Sequence, residues 1–126
     1  MATASDHIVL VTGAGAGIGA ATARRYASEG ARVIAADYQA DRLDETRKGF
    51  EDSMRGLALD LRNSDAVFAA VAELPEDFKD ISILVNNAGV GPGLEPAHEA
   101  QLGDWEAIVD TNIKGGLYCT RAILPG

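Results

Sequence analysis

The 126 residues hold one cysteine, one tryptophan, two histidines and three tyrosines, and this scarcity removes several kinds of chemistry at once. With Cys119 alone, no internal disulfide can close and no multi-cysteine metal site can be assembled from one chain, a usage that suits a reducing cytoplasm. No run of about 18 unbroken apolar residues occurs, which excludes an ordinary membrane-spanning helix. The apolar stretch from Ile8 to Ala23 imitates a signal peptide. However, Asp6 and His7 stand where a basic leader should, and glycines interrupt the stretch, so it reads as folded interior. Basic residues are also few: 11 against 19 acidic ones give a net charge of −8, which repels nucleic-acid phosphates and anionic lipid surfaces alike. Neither nucleic acid nor membrane is an expected partner.

What is present suits a single domain over residues 1–126. Apolar residues make up 47% and charged residues 24%, ordinary for a globular protein. A chain of this length buries roughly two-thirds of the surface of its unfolded form. Ile8 to Val11 is a β-branched run closed by Thr12-Gly13 and predicts a strand buried on both faces. Residues 18–29 predict a helix stopped at Gly30, Arg32 to Ala36 a second strand, and residues 40–48 a charged helix before Gly49. Leu57-Ala58-Leu59 predicts a third strand ending at Asp60. Ser64 can cap a helix with Val67, Phe68, Val71, Leu74 and Phe78 on one face, shortened by Pro75. A fourth strand runs from Ile81 to Val85 and closes at Asn86-Asn87-Ala88-Gly89. From about Gly103 to Leu124 a long helix follows, with Trp105, Ile108, Val109, Asn112, Ile113 and Gly116 at helical spacing. Strands that alternate with helices, each strand an unbroken apolar run, predict an α/β fold with a parallel sheet and helices on both faces.

Four glycines within the seven positions 13–19 follow the first strand. A phosphate that approaches the amides opening a helix is held off by any Cβ in the way, and the helix dipole favours the anion, so glycines belong there. The spacing G-x-G-x-x-G fails, because the sixth position counted from Gly13 is Ile18. Thr12-Gly13-Ala14-Gly15-Ala16-Gly17-Ile18-Gly19 reads instead as T-G-x-x-x-G-x-G. Asp37, 18 positions after Gly19, ends the second strand where a carboxylate accepts hydrogen bonds from both hydroxyls of an adenosine ribose. The same carboxylate repels a 2′-phosphate by roughly 1 to 4 kcal/mol at about 4 Å. NAD is therefore the expected cofactor, with NADP, reached by Arg42, as the second choice. Asp37 serving only to cap the next helix is the plain alternative.

The T-G-x-x-x-G-x-G loop resembles that of the short-chain dehydrogenase/reductase family. Three further motifs fall in register with that family: Asp60-Leu61 after the third strand, Asn86-Asn87-Ala88-Gly89 after the fourth, and Thr111-Asn112-Ile113-Lys114-Gly115 on the long helix. The resemblance covers essentially the whole chain. It implies a Rossmann-type doubly wound sheet in three αβα layers, here about four strands of the order 3-2-1-4-5-6-7. It also implies cofactor contacts at Gly13, Gly15, Gly17, Ile18, Gly19, Asp60, Leu61, Asn87, Ala88 and Gly89, and a catalytic role for Asn112. The activity implied is hydride transfer between nicotinamide and an alcohol or ketone carbon. The run from Leu57 to Gly115 looks like the branch acting on 3-hydroxy acids and serine-like substrates. That branch usually prefers NADP, from which Asp37 departs. Full-length members generally pair through the long helix and its successor, so a homodimer or homotetramer is implied.

The family's proton-transfer residues are a tyrosine and lysine in Y-x-x-x-K and a preceding serine. Here the residues four positions after Tyr26, Tyr38 and Tyr118 are Gly30, Arg42 and Ala122. The expectation is a portion of a longer enzyme that is inactive as a dehydrogenase by itself and leaves Ile83-Leu84-Val85 as an apolar sheet edge. Two rival functions share the glycines and Asp37. One is an S-adenosylmethionine-dependent methyltransferase, for which the fourth strand lacks a methyl-acceptor signature, and the other is a non-enzymatic dinucleotide sensor. Among the remaining residues, His98 is expected in solvent, His7 and Trp105 in structural roles, and Cys119 as a buried inert thiol.

Overall fold

The computed structural model describes residues 3–87, 102, 103, 106 and 109–123, with 110–112 described by backbone alone. A short 3₁₀ turn, Ala4–Asp6, leads into β1 (Ile8–Thr12), followed by α1 (Gly17–Ser28), β2 (Arg32–Asp37), α2 (Ala40–Arg47), β3 (Met54–Ala58), α3 (Ser64–Ala72) and β4 (Ile83–Val85). Residues Val109–Gly115 then wind as a π-helix that passes into α4 (Gly116–Ile123). The strands form one parallel sheet in the order β3-β2-β1-β4, with Leu10 level with Ile34 on one side and Leu84 on the other.

Alternation within β1 and β2 assigns the two faces. Val9, Val11, Val33 and Ala35 pack with Ala23 and Ala27 of α1, Leu43 of α2 and Met54. Ile8, Leu10, Ile34 and Ala36 face the other way, against Leu74, Phe78 and Ile123. Beyond them Leu59, Leu61, Val67 and Cys119 bury one another under α3 and α4. All five side chains of β1 are buried, because the strand has a helix layer on each side and a strand on each edge. The alanines of α1 matter for the same reason: without long side chains the helix backbone lies close to the sheet. Arg24 of α1 reaches the end of α2, donating to the carbonyls of Thr46 at 2.9 Å and Lys48 at 2.7 Å while its guanidinium stacks 4.9 Å from the Phe50 ring centre. Among the described residues, no helix is long and apolar enough to cross a membrane.

Several boundaries differ from the sequence expectation. The third strand lies over Met54–Ala58 rather than Leu57–Leu59, because as an outer strand it pairs only with β2 and tolerates exposed Arg55, which hides its pattern. Asn63, not Ser64, caps α3, accepting the Ala66 N–H at 3.1 Å. That helix ends at Ala72, so Leu74 and Phe78 reach the core from the turns beyond it, and Phe68 is left 39% exposed. The fourth strand is confined to Ile83–Val85. The expected long helix is not uniformly α: Val109–Gly115 is π-wound, and α winding starts at Gly116. Trp105 and Ile108 lie outside the described residues.

Cys119 is 1% exposed, and burial pushes its thiol up to about 11. The folded protein then keeps this proton at pH values where the unfolded chain has lost it, so stability falls as pH rises from the ordinary thiol range toward 11. A disulfide reagent at neutral pH should label Cys119 only as fast as the chain opens, and labelling should accelerate steeply in urea. Rapid labelling in native buffer would show that the cluster under α3 and α4 is open.

Candidate functional site

At the carboxyl end of β1 the backbone turns back on itself through Gly13 and Gly17, whose φ values of 66° and 57° lie in the left-handed region that side chains disfavour. Gly15 and Gly19 are glycines for another reason. A Cβ on Gly15 would stand 2.7 Å from the Asp37 carboxylate and 2.8 Å from Cβ of Arg42. One on Gly19 would land on the carbonyl oxygen of Gly13 and 2.5 Å from the side-chain nitrogen of Asn87. What comes closest to this backbone is thus the protein itself. Gly17, by contrast, faces open space, with nothing within 4 Å of its would-be Cβ. The loop is fastened from outside, since Ala14 donates to the Ala36 carbonyl at 3.0 Å and accepts from the Thr46 hydroxyl at 2.8 Å.

The amino end of α1 therefore opens on unobstructed surface beside Gly17. Ala16 stands at the N-cap and cannot cap with its side chain, no acidic residue lies in the first turn, and Ile18 is 78% exposed. Uncapped amides with the dipole behind them attract an anion.

Asp37 stands next to that opening, at the end of β2. Its Oδ2 accepts the Gly15 N–H at 2.9 Å and its Oδ1 accepts the Gln39 N–H at 2.8 Å, which leaves each oxygen further acceptor capacity. Gln39 holds the N-cap position of α2, so Asp37 turns the chain into that helix without being its cap. Tyr38, 69% exposed, follows it directly.

Neighbouring strand ends carry the other expected residues. Asp60 lies just past β3, and Arg62 encloses its carboxylate: the Arg62 backbone N–H and Nε both donate to Oδ1 at 3.0 Å, and a terminal guanidinium nitrogen to Oδ2 at 2.9 Å. These bonds hold the Asp60 carboxyl below the usual carboxylate range. Leu61 turns its side chain into the core, so any contact it makes with a ligand uses its backbone. Asn87 ties the end of β4 to the glycine loop, its N–H donating to the Thr12 hydroxyl at 3.1 Å and its side chain to the Gly13 carbonyl at 3.4 Å. Ala88, Gly89 and His98 lie outside the described residues. Asn112 falls in the π-wound turn, with its side chain outside them. His7 is at the opposite end of the sheet, where its Nδ1 meets the Ser82 hydroxyl at 2.9 Å. Thr46 and Arg62 have structural roles here that the sequence motifs do not signal. Only the spacing of Arg62, two residues after an acid, points to its role. Among the described residues no group of His, Cys, Asp and Glu could hold a metal ion.

Gly13 to Gly19, Asp37, Asp60 and Asn87 thus gather at the carboxyl ends of β1 to β4, where ligands bind in open α/β sheets. Residues 7–126 match the family profile described as short chain dehydrogenase. The chain belongs to the short-chain dehydrogenase family. Among curated members it is 48% identical over 119 residues to the NADP-dependent 3-hydroxy acid dehydrogenase YdfG of Escherichia coli, covering 94% of this chain and 48% of that protein. It is 45% identical over 117 residues to the serine 3-dehydrogenase of Agrobacterium fabrum, covering 93% of this chain and 47% of that protein. The chain therefore spans about half the length of the curated relatives it matches. Two solved short-chain dehydrogenase-like structures superpose closely. One is the closed form of a serine dehydrogenase complexed with NADP+ (TM-score 0.89, 47% identity, 93% of this chain and 47% of that one). The other is a 3-ketoacyl-(acyl-carrier-protein) reductase from Brucella melitensis complexed with NADH (TM-score 0.88, 32% identity, 94% and 49%).

The two kinds of glycine should separate on substitution. Gly19→Ala drives a methyl group into the Gly13 carbonyl and should lower stability by about 3 kcal/mol or more while loosening Asn87. Gly17→Ala meets no neighbour and should lose only about 1–2 kcal/mol from its backbone conformation. Urea denaturation measures both, and a harmless Gly19→Ala would contradict the loop geometry.

Proposed function

We propose that this chain is the dinucleotide-binding portion of an NAD-dependent oxidoreductase acting on a small hydroxy acid or related alcohol and ketone. The observation that carries the cofactor reading is the Asp37 carboxylate docked on the Gly15 N–H, beside the uncapped amino end of α1. In this reading the amides at Gly17, Ile18 and Gly19 hold a pyrophosphate. The remaining acceptor sites of Asp37 take the ribose hydroxyls, Asp60 and the Leu61 backbone meet the adenine, and Asn87, Ala88 and Gly89 border the path toward the nicotinamide. Bound NAD would supply the hydride acceptor, while these residues orient it and exclude water from one side. Asn112 is proposed as a catalytic-site residue. The names of the relatives favour a hydroxy acid or serine-like substrate.

One observation favours a second cofactor: the relatives at 45–48% identity include one named as NADP-dependent, and Arg42 lies next to Gly15. Against it stands Asp37, whose charge opposes a 2′-phosphate at the same position. Membership in a dehydrogenase family removes the ground for methyl transfer. Tyr-x-x-x-K is absent from the sequence, so the chain by itself should bind a dinucleotide without turning substrate over. Exposed Val109, Ile113 and Leu117 repeat every four residues along the π-wound turn and α4, and pairing of two copies through this stripe is the proposed assembly. The free buried thiol of Cys119 fits the cytoplasm.

Titrating the chain with NADH and NADPH checks the assignment. NADH should bind about tenfold or more tightly, and Asp37→Ser should weaken NADH and narrow the gap. Tighter binding of NADPH to the unaltered chain would establish the second reading. Sustained NADH production by the chain alone would refute its proposed inactivity.

A further inference from the structure

Asp60 is placed with unusual firmness for a carboxylate in an exposed turn. The residues on either side of it, Leu59 and Leu61, are both buried in the cluster with Val67 and Cys119. The Leu59 N–H donates to the Asp37 carbonyl at 2.9 Å, and the Asp60 carbonyl accepts the Asn63 N–H at 3.1 Å, so the backbone is pinned before and after it and tied to β2. Arg62 then supplies three donors to its carboxylate, two on Oδ1 and one on Oδ2. A carboxylate offers about four acceptor positions, so this arrangement leaves one, and it lies on Oδ2. As an ion pair the arrangement adds little to stability, because the side chains of Arg62 and Asp60 are 47% and 38% exposed. Its effect is to select which lone pair stays open and where it points.

We infer that Arg62 is a positioning residue for base recognition: it aims the open acceptor site of Asp60 at an exocyclic amino group, so that the site selects a 6-amino purine over a 6-oxo purine. This inference rests on the proposed placement of the adenine beside Asp60. A 6-amino group donates to the carboxylate. A 6-oxo group presents a second acceptor, leaving Asp60 unpaired and repelled. Without Arg62 the carboxylate rotates freely and meets either base through water.

The readout is a ratio, which a role in folding alone does not move. The chain is titrated with NADH and with its hypoxanthine counterpart, in which the purine 6-amino group is replaced by oxygen. The unaltered protein should prefer NADH by about tenfold, Arg62→Gln should shrink that preference to about threefold or less, and Asp60→Asn should do the same. Asp37→Asn should weaken both dinucleotides and leave the ratio intact, and thermal unfolding of Arg62→Gln should stay close to that of the unaltered chain. NADH binding with an unchanged ratio in Arg62→Gln overturns this inference alone. Failure of the unaltered chain to bind either dinucleotide overturns it together with the proposed cofactor site.

Discussion

The hydrogen bond from the Gly15 amide to the Asp37 carboxylate ties the carboxylate itself to the glycine loop. It couples the glycine loop, which belongs to β1 and α1, to the end of β2, and it requires that position 15 have no side chain. The same bond fixes the carboxylate next to the open amino end of α1. Anion attraction by the helix and anion repulsion by Asp37 therefore operate a few ångströms apart, and a ligand with phosphate in one place and neutral sugar in the other satisfies both.

The order of strands explains why such neighbours meet. The chain runs outward from β1 to β2 and β3, then back past β1 to β4, so the carboxyl ends of β1 and β4 lie side by side at the point where the order reverses. Thr12 and Asn87 sit on the two sides of that point and bond directly. Asp37 and Asp60 line up outward along the same rim, in step with the pairing of Asp37 and Ala58.

Much of this was legible in the residues. Apolar runs without alternation give a parallel sheet covered on both faces, and the split of Val9 and Val11 from Ile8 and Leu10 between two clusters follows from the period of a strand. Glycine spacing located the loop, and the position of Asp37 located its partner. The reason for each glycine was not legible, because the clash at Gly19 is with a carbonyl of the loop and an asparagine 68 positions away, contacts that exist only in the folded chain. The outer strand β3 lies earlier than its apolar residues predict, because an edge position relaxes the apolar pattern. Residue type does not decide between Asn63 and Ser64 as the cap of α3, since asparagine and serine are equally good caps and adjacent here. The π-wound turn has no periodic signature, as one extra residue in a turn shifts a pattern without erasing it. Arg62 carries no apolar signal at all, and its geometry depends on the turn after β3.

The clasp formed by Arg24 bears on any attempt to exchange the nucleotide-selecting segment of this protein for that of a relative. Because α1 supplies the guanidinium that satisfies the last carbonyls of α2 and lies over Phe50, the stretch following Asp37 is anchored by a side chain encoded well upstream. A transplanted segment with different helix length or without the aromatic ring would leave that guanidinium stranded, so the portable unit is the β1-α1-β2-α2 quartet rather than the β2-α2 hairpin of the rim.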